Sequence, residues 1–166
     1  LMLWIALSPV ILVEDYGLSS MQYGLAQFPV LGGLIIGNIV LIKIIDKIPL
    51  GKSVMIGLPL MLLGTSLVVI GTFTENYFIA FLIAGMTLVS FGEGMSFSVL
   101  YRFALMSSEV SKGTVAAAVS VLMMVMFFAV IELIRILYEN FGIWAYSLAG
   151  LSLILLWFSF PRRMVK

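Results

Sequence analysis

The sequence contains neither cysteine nor histidine. It therefore cannot form disulfides, thiolate nucleophiles or the usual zinc sites, and it has no imidazole for acid–base catalysis. The Gly-x-Ser-x-Gly string of many hydrolases is also missing. Because most hydrolytic mechanisms lose a required group, we do not expect an enzyme. No residue pattern calls for a cofactor or a metal.

Charged residues are scarce, at 10% of the 166 residues, whereas apolar residues make up 63%. An ordinary soluble domain has about 25% charged and about 45–50% apolar residues. So few charges cannot cover the surface of a soluble protein, and we expect the lipid bilayer to surround most of this chain. The net charge of +1 gives no reason to expect a nucleic-acid partner.

Apolar stretches of membrane-spanning length, which is roughly 20 residues, recur along the chain. The five full stretches cover residues 18–42, 54–73, 77–101, 114–137 and 141–160. A sixth stretch at residues 1–13 is too short to span, and we interpret it as a truncated helix that starts upstream. The sequence thus predicts an all-α, multi-pass membrane protein with six helices and short polar connectors.

The distribution of Lys and Arg predicts the orientation of these helices. Of the nine basic residues, all but Arg135 fall in alternate connectors or at the end of the chain, namely Lys43, Lys47, Lys52, Arg102, Lys112, Arg162, Arg163 and Lys166. Short cytoplasmic loops carry an excess of basic residues. The basic side, including the C-terminus, is therefore expected in the cytoplasm, and Glu14, Asp15, Glu75 and Glu139 are expected outside.

Six segments that begin and end on the cytoplasmic side correspond to one half of a secondary transporter built from repeated halves. The truncated first segment favours this interpretation over a complete six-helix protein. Small residues on the second and fifth segments predict close helix packing, with a role in transport motions as the alternative. They are Gly32, Gly33, Gly37, Ala116, Ala117 and Ser120. Kinks are expected at Pro9, Pro29 and Pro59.

Glu93 is the clearest candidate for chemistry, because it is a carboxyl group inside the fourth segment. At 1.5 Å per residue it lies roughly 24 Å from the outer end and roughly 12 Å from the inner end. A carboxyl group at that depth has to face a watery cavity, find a partner or stay protonated. It is either a site for attracting cations and binding protons, or a group satisfied by a neighbouring helix.

Four further side chains are candidates for contacts with a ligand. Gln27 and Asn38 are uncharged polar residues in the second segment, and they either bond across helices or face the substrate. Met123 and Phe127 belong to a methionine-rich and phenylalanine-rich stretch of the fifth segment. Such adaptable apolar side chains suit a pocket that accepts many ligands, although they also occur where a helix faces lipid.

Glu132 and Arg135 are three residues apart near the outer end of the fifth segment, so that they can pair on one helix face. The pair is either an interfacial ion pair or an extracellular gate. Arg102 closes the fourth segment where a basic anchor is expected, and it is a further candidate for gating.

Several ordered strings resemble the MdfA-type multidrug/proton antiporters of the major facilitator superfamily, and the resemblance covers essentially the whole chain. The strings are Leu3-Trp4-Ile5-Ala6-Leu7-Ser8-Pro9, Leu18-Ser19-Ser20, Tyr23-Gly24-Leu25, Gly37-Asn38, Phe91-Gly92 and Ser111-Lys112-Gly113-Thr114-Val115. The match corresponds to the truncated seventh helix through the twelfth helix of a twelve-helix transporter.

The resemblance implies an inner-membrane exporter that moves a lipophilic or cationic drug outward against protons by alternating access. The drug cavity would lie between this chain and an N-terminal half, which would hold the acidic residues for coupling. Leu1, Met2, Ile5 and Ser8 match the cavity-wall positions, whereas Glu93 replaces an apolar residue. A siderophore or metabolite exporter and a non-transporting membrane scaffold remain the alternatives.

Overall fold

The computed structural model describes residues 1–159, except for the side chains of Leu50, Glu75, Phe158 and Ser159. The basic residues Arg162, Arg163 and Lys166, and with them the predicted position of the C-terminus, lie outside the described residues. Six α-helices form the described part of the chain: α1 (Met2–Pro9), α2 (Ser20–Ile44), α3 (Leu50–Gly71), α4 (Phe78–Met106), α5 (Lys112–Phe141) and α6 (Ile143–Ser159).

Local signals in the sequence explain where several helices begin and end. Pro9 closes α1, and the chain continues as a π-helix over Val10–Asp15 until Gly17 turns it with a φ of 68°. Ser19 and Gln22 then form a reciprocal capping box at the start of α2. A second glycine with positive φ, Gly142 at 70°, separates α5 from α6.

Lys112 joins α4 to α5 by capping a helix end. Its Nζ donates hydrogen bonds to the backbone oxygens of Leu105 at 3.0 Å and Ser108 at 3.2 Å. A lysine at this position satisfies carbonyl groups that lack partners within the helix. Ser111 caps the beginning of α5 by accepting a hydrogen bond from the backbone of Thr114. The connector between α4 and α5 is consequently short and well bonded.

Within residues 1–159, four helices are long and apolar enough to cross a membrane by length and composition: Ser20–Ile44, Gly51–Gly71, Phe78–Met106 and Lys112–Phe141. A shorter apolar helix covers Ile143–Trp157. Several helices extend beyond the predicted apolar stretches; for example, Tyr138 and Glu139 belong to α5 and not to a connector. Hydropathy marks the part of a helix that suits hydrocarbon, whereas the hydrogen-bonded helix continues into its polar ends.

Glycines let α4 pack against α2 and α3 at the distance of backbone contact. A Cβ atom added to Gly92 would lie 2.5 Å from the backbone oxygen of Gly57, and one added to Gly33 would lie 2.5 Å from that of Thr87. Gly64 likewise meets Gly85, so that α4 runs antiparallel to α3. Gly37 meets Phe91, so that α4 runs parallel to α2. The predicted packing role of Gly33 is therefore present, whereas its neighbour Gly32 faces open space.

The other helices pack less closely. In α5 only Ile134 and Tyr138 are buried, and none of its most apolar 18-residue window is buried within the chain. Of the small residues predicted to form a packing face on α5, Ala117 is exposed and Ala116 and Ser120 are half-buried. The main apolar core instead joins α1 and the π-helix to α2, to α4 and to the adjoining ends of α5 and α6. Its buried residues include Trp4, Leu7, Ile11, Leu12, Val30, Leu82, Tyr138 and Tyr146.

Candidate functional site

A cavity of about 470 Å³ lies between α1, α3, α4, α5 and α6, and its wall is mostly apolar. Leu1 and Leu3 border it at the point where this chain begins. Its size falls within the usual range of small-molecule sites, about 300–1,000 Å³.

Glu93 is the one charged side chain among the described residues of this wall. The terminal ammonium group of Leu1, where this chain begins, lies 2.8 Å from Glu93 Oε2, which places the beginning of α1 beside the middle of α4. The carboxyl side chain is 26% exposed. The adjacent Gly92 and Gly94 contact α3 and α2, so that the backbone that carries Glu93 is held from two sides.

Phe97 and Tyr101 follow Glu93 on α4 at intervals of four residues, so that the three side chains lie on one face of the helix. The rings of Phe97 and Tyr101 are stacked, with centroids 6.2 Å apart and an angle of 19° between their planes. Both side chains line the cavity. The wall therefore combines one carboxyl group with a flat aromatic surface, and these are the two features that attract an organic cation.

Most hydroxyl groups on the wall are already bonded within their own helices. Thr65 donates to the backbone oxygens of Met61 and Leu62. Ser96 and Ser147 each donate to the backbone oxygen four residues earlier. Tyr146 differs, because its hydroxyl group donates across the helices to the sulfur of Met86 at 3.9 Å.

Leu1, Glu93, Met123 and Phe127 were predicted from sequence as ligand contacts, and the structure brings all four to the cavity wall. Two other predicted wall residues of α1 lie elsewhere. The side chains of Met2 and Ile5 are 48% and 49% exposed and do not line this cavity. Ligand contact by Met2 and Ile5 stays a prediction.

Ser8 and Gln27 belong to a polar network that joins α1 to α2. Trp4 Nε1 donates to Gln27 Oε1 at 2.7 Å, and Gln27 Nε2 donates to Ser8 Oγ at 3.4 Å. Ser8 Oγ also lies 3.3 Å from the hydroxyl oxygen of Tyr23. Ser8 is fully buried. Gln27 was predicted either to bond across helices or to face the substrate. Its hydrogen bonds in this structure are bonds across helices.

Asn38 lies where α2 approaches α4. Its Nδ2 donates to the backbone oxygen of Leu34 at 2.9 Å, and its Oδ1 accepts a hydrogen bond from Ser98 at 3.4 Å. The side chain also borders Gly94 and is not part of the cavity wall. Ligand contact by Asn38 stays a prediction.

The ion pair predicted for α5 is present and includes a third residue. Arg135 binds both carboxylate oxygens of Glu132, at 3.0 and 2.6 Å, and also one oxygen of Glu139, at 2.5 Å. All three side chains are exposed. Arg102 is exposed near the end of α4 and has no ion-pair partner within residues 1–159. The gating role proposed for these residues stays a prediction.

Sequence reasoning missed the contributions of α6, which places Tyr146, Ser147, Ile154 and Trp157 on the wall. Nothing in the hydropathy of this uniformly apolar helix distinguishes the face toward the cavity from the face toward lipid. The stripe of Phe97 and Tyr101 was detectable, because both follow Glu93 at helical spacing.

No established family model matches the sequence. Over 166 residues the chain is 64% identical to the chloramphenicol resistance protein CraA of Acinetobacter baumannii, and it covers 40% of that protein. It is 35% identical over 166 residues to the multidrug transporter MdfA of Edwardsiella ictaluri, again 40% of the relative. For the multidrug transporter MdfA of Yersinia pestis, the identity is 35% over 157 residues, which are 95% of the chain and 38% of the relative. The chain thus spans less than half the length of these curated relatives.

Proposed function

Because the chain belongs to the MdfA-type transporters of the major facilitator superfamily, we propose that it supplies the C-terminal six helices of a drug exporter. The substrates are lipophilic molecules, some of them cationic, that enter from the cytoplasm or the inner leaflet. A proton gradient drives export by alternating access. The N-terminal six helices complete the transport pathway and supply the acidic residues for proton coupling.

The observation that carries this proposal is Glu93 on the wall of an apolar cavity. A charged group near the centre of a membrane helix costs about 2.5–3.5 kcal/mol on insertion scales, and a purely structural scaffold has no need of it. Beside the stacked rings of Phe97 and Tyr101, the carboxyl group supports binding of a lipophilic cation. The large apolar remainder of the wall supports binding of neutral drugs.

Chloramphenicol is the first neutral substrate to test, because the A. baumannii relative is named for resistance to it. It is an uncharged aromatic molecule with several oxygen atoms, and its size suits an apolar cavity with few polar groups. Tetraphenylphosphonium, a lipophilic cation without a hydrogen-bonding atom, serves as the cationic counterpart. Together the two compounds separate the role of the apolar wall from that of the carboxyl group.

The test uses a chimera in which this chain replaces the matching segment of the A. baumannii relative. In everted membrane vesicles with an imposed proton gradient, we expect each drug to release protons, detected with a pH-sensitive dye. The chain expressed alone should release none, because the pathway needs both halves. A folded, membrane-inserted chimera without drug-dependent proton release would overturn the proposal. Proton release by the chain alone would contradict its role as a half-transporter. If the chimera released protons only after a siderophore or a metabolite was added, and not after either drug, a selective exporter would be favoured.

We also propose that the chain crosses the bacterial inner membrane with Lys47 and Lys112 in the cytoplasm and Glu139 outside. The basic connectors support this orientation. Since the chain has no cysteine, single cysteines at positions 47, 112 and 139 in a cysteine-free chimera report it directly. An impermeant thiol reagent applied to whole cells should label position 139 alone. Labelling of position 47 and not of position 139 would show that the chain has the opposite orientation.

A further inference from the structure

Helix α3 has an exposed face that is apolar along its length. Its opposite face packs against α4 at Gly57 and Gly64, where the backbones of the two helices meet. A helix that is apolar on both faces, and exposed on one of them, is suited to contact with hydrocarbon. The exposed face of α3 consists of Met55, Ile56, Pro59, Leu63 and Ile70.

Two lysine residues lie where this exposed face begins. Lys52 is in the first turn of α3, three and four residues before Met55 and Ile56 and therefore on the same face. Lys47 lies in the connector that leads into α3, and both lysine side chains are exposed. The ion pairs among the described side chains involve neither of them. A positive charge in the first turn is also disfavoured by the helix dipole, so that an anionic partner outside the chain would be stabilising.

The two ends of the helix bundle differ in charge. The end that holds the beginning of α3 is basic, whereas the opposite end is acidic. An anionic group is therefore attracted to the first end and repelled by the second. At the basic end, Lys43, Lys47, Lys52, Arg102 and Lys112 accompany Asp46 and Glu109, and at the acidic end Arg135 accompanies Glu14, Asp15, Glu132 and Glu139.

Lys112 is less available than the other basic residues of its end. Its Nζ donates to the backbone oxygens of Leu105 and Ser108, so that it already serves to cap a helix. Lys47 and Lys52 have no such bond among the described residues, and they adjoin an apolar surface. The combination of free positive charge and exposed apolar side chains fits an amphiphilic anion better than a soluble one.

We propose that the exposed face of α3 is a docking site for an anionic phospholipid. The phosphate of the headgroup contacts Lys47 and Lys52, and an acyl chain follows Met55, Pro59 and Leu63 along the helix. The site lies on the side of α3 opposite to α4 and needs neither the cavity nor transport. It therefore stands or falls independently of the proposed function.

The test measures which lipid is enriched beside α3. Because the chain has no cysteine, a single fluorophore can be attached at Met55→Cys in a cysteine-free chimera, which is then reconstituted into phosphatidylcholine vesicles. Small amounts of phosphatidylglycerol or phosphatidylcholine with a spin label on the acyl chain quench the fluorophore on contact. We expect phosphatidylglycerol to be preferred by about fivefold or more, the effect of one basic residue near an anionic surface. Added salt should weaken this preference.

The matched control is the same fluorophore at Ile70→Cys, on the same face of α3 but at its acidic end. There the two lipids should quench equally. At position 55, the double variant Lys47→Gln, Lys52→Gln should lose the preference, whereas Lys47→Arg, Lys52→Arg should keep it because the charge is retained.

Three results would overturn the proposal. One is equal quenching by both lipids at position 55 of the chimera with its lysines intact, which requires no charge variant to fold. The second is a preference that persists in the double Gln variant. The third is displacement of the labelled phosphatidylglycerol by soluble glycerol phosphate, which would show a site for free anions and not for a lipid.

Discussion

The two sides of α4 pack in different ways. Toward α2 and α3, glycines bring the backbones into contact at Gly33, Gly57, Gly64, Gly85, Gly92 and Gly94. Toward α5 and α6, the same helix presents Glu93, Phe97 and Tyr101 to a cavity. Helices in a membrane associate by close packing of small residues. One face of α4 therefore packs closely in the bundle, while the other face borders the cavity.

Alanine at a contact glycine should have the largest effect, because it inserts a methyl group between two backbones. In Gly92→Ala the new Cβ atom would lie 2.5 Å from both the backbone oxygen of Gly57 and the side chain of Met61. We expect a loss of about 1–3 kcal/mol and a clearly lower melting temperature of the detergent-solubilised chimera. The matched control is Gly150→Ala on α6, where nothing lies within 4 Å. Equal melting temperatures for the two variants would contradict the conclusion that close glycine contacts stabilise one side of α4.

Replacement of Gln27 should have the next largest effect, because it tests whether the network between α1 and α2 is structural. Gln27→Leu removes its bonds to Trp4 and Ser8 and should cost about 1–3 kcal/mol through the buried groups left unpaired. The double variant Trp4→Phe, Gln27→Leu should lose less stability than the two single changes combined. Additive losses of melting temperature, together with weaker drug binding, would instead favour the ligand-contact interpretation of Gln27.

Glu93→Gln addresses the cavity side of α4. If the carboxyl group binds cations, tetraphenylphosphonium export should fall on the order of tenfold, equal to about 1.4 kcal/mol of binding, and chloramphenicol export should hardly change. Glutamine keeps the size of glutamate and can hydrogen-bond in both directions, so that a structural role would make this change nearly silent. Unchanged export of both drugs by the Gln variant at normal expression would remove Glu93 from the binding site.

Arg135→Gln should have the smallest effect on stability. Arg135, Glu132 and Glu139 are exposed, and exposed ion pairs contribute little because water and salt screen them. We expect no measurable change in melting temperature. Export rates distinguish the two interpretations of this cluster, since a gate would change transport without a change in stability. A large fall in melting temperature would show that α5 depends on this cluster for its packing.

Sequence reasoning succeeded where a property is summed over many residues. The full-length apolar stretches became helices because spanning length and composition leave few other structures for such segments. Their ends were less accurate, since Tyr138 and Glu139 are polar enough to suggest a connector and yet continue α5. Glu93 was singled out because a lone intramembrane carboxyl group is conspicuous in any apolar stretch, and its role stays a prediction.

The candidate site was harder to predict, because it depends on which helix faces meet. Gly32 and Gly33 are adjacent and identical in type, and only Gly33 contacts α4. Ser8 is as good a candidate for ligand contact as Leu1 by sequence, but it is fully buried in a hydrogen-bonded network, whereas Leu1 borders the cavity. No periodicity in α6 indicated Tyr146 or Trp157.

The sequence by itself determined the class of the protein, its helical segments and its resemblance to drug exporters, because hydropathy, charge and local strings are properties of the chain read in order. The tertiary structure alone decided that α4 is anchored on one face and open on the other, and that Tyr146 meets Met86 across the cavity. Such features depend on the rotation and spacing of whole helices. Those quantities follow from contacts between residues far apart in the chain, which no local pattern encodes.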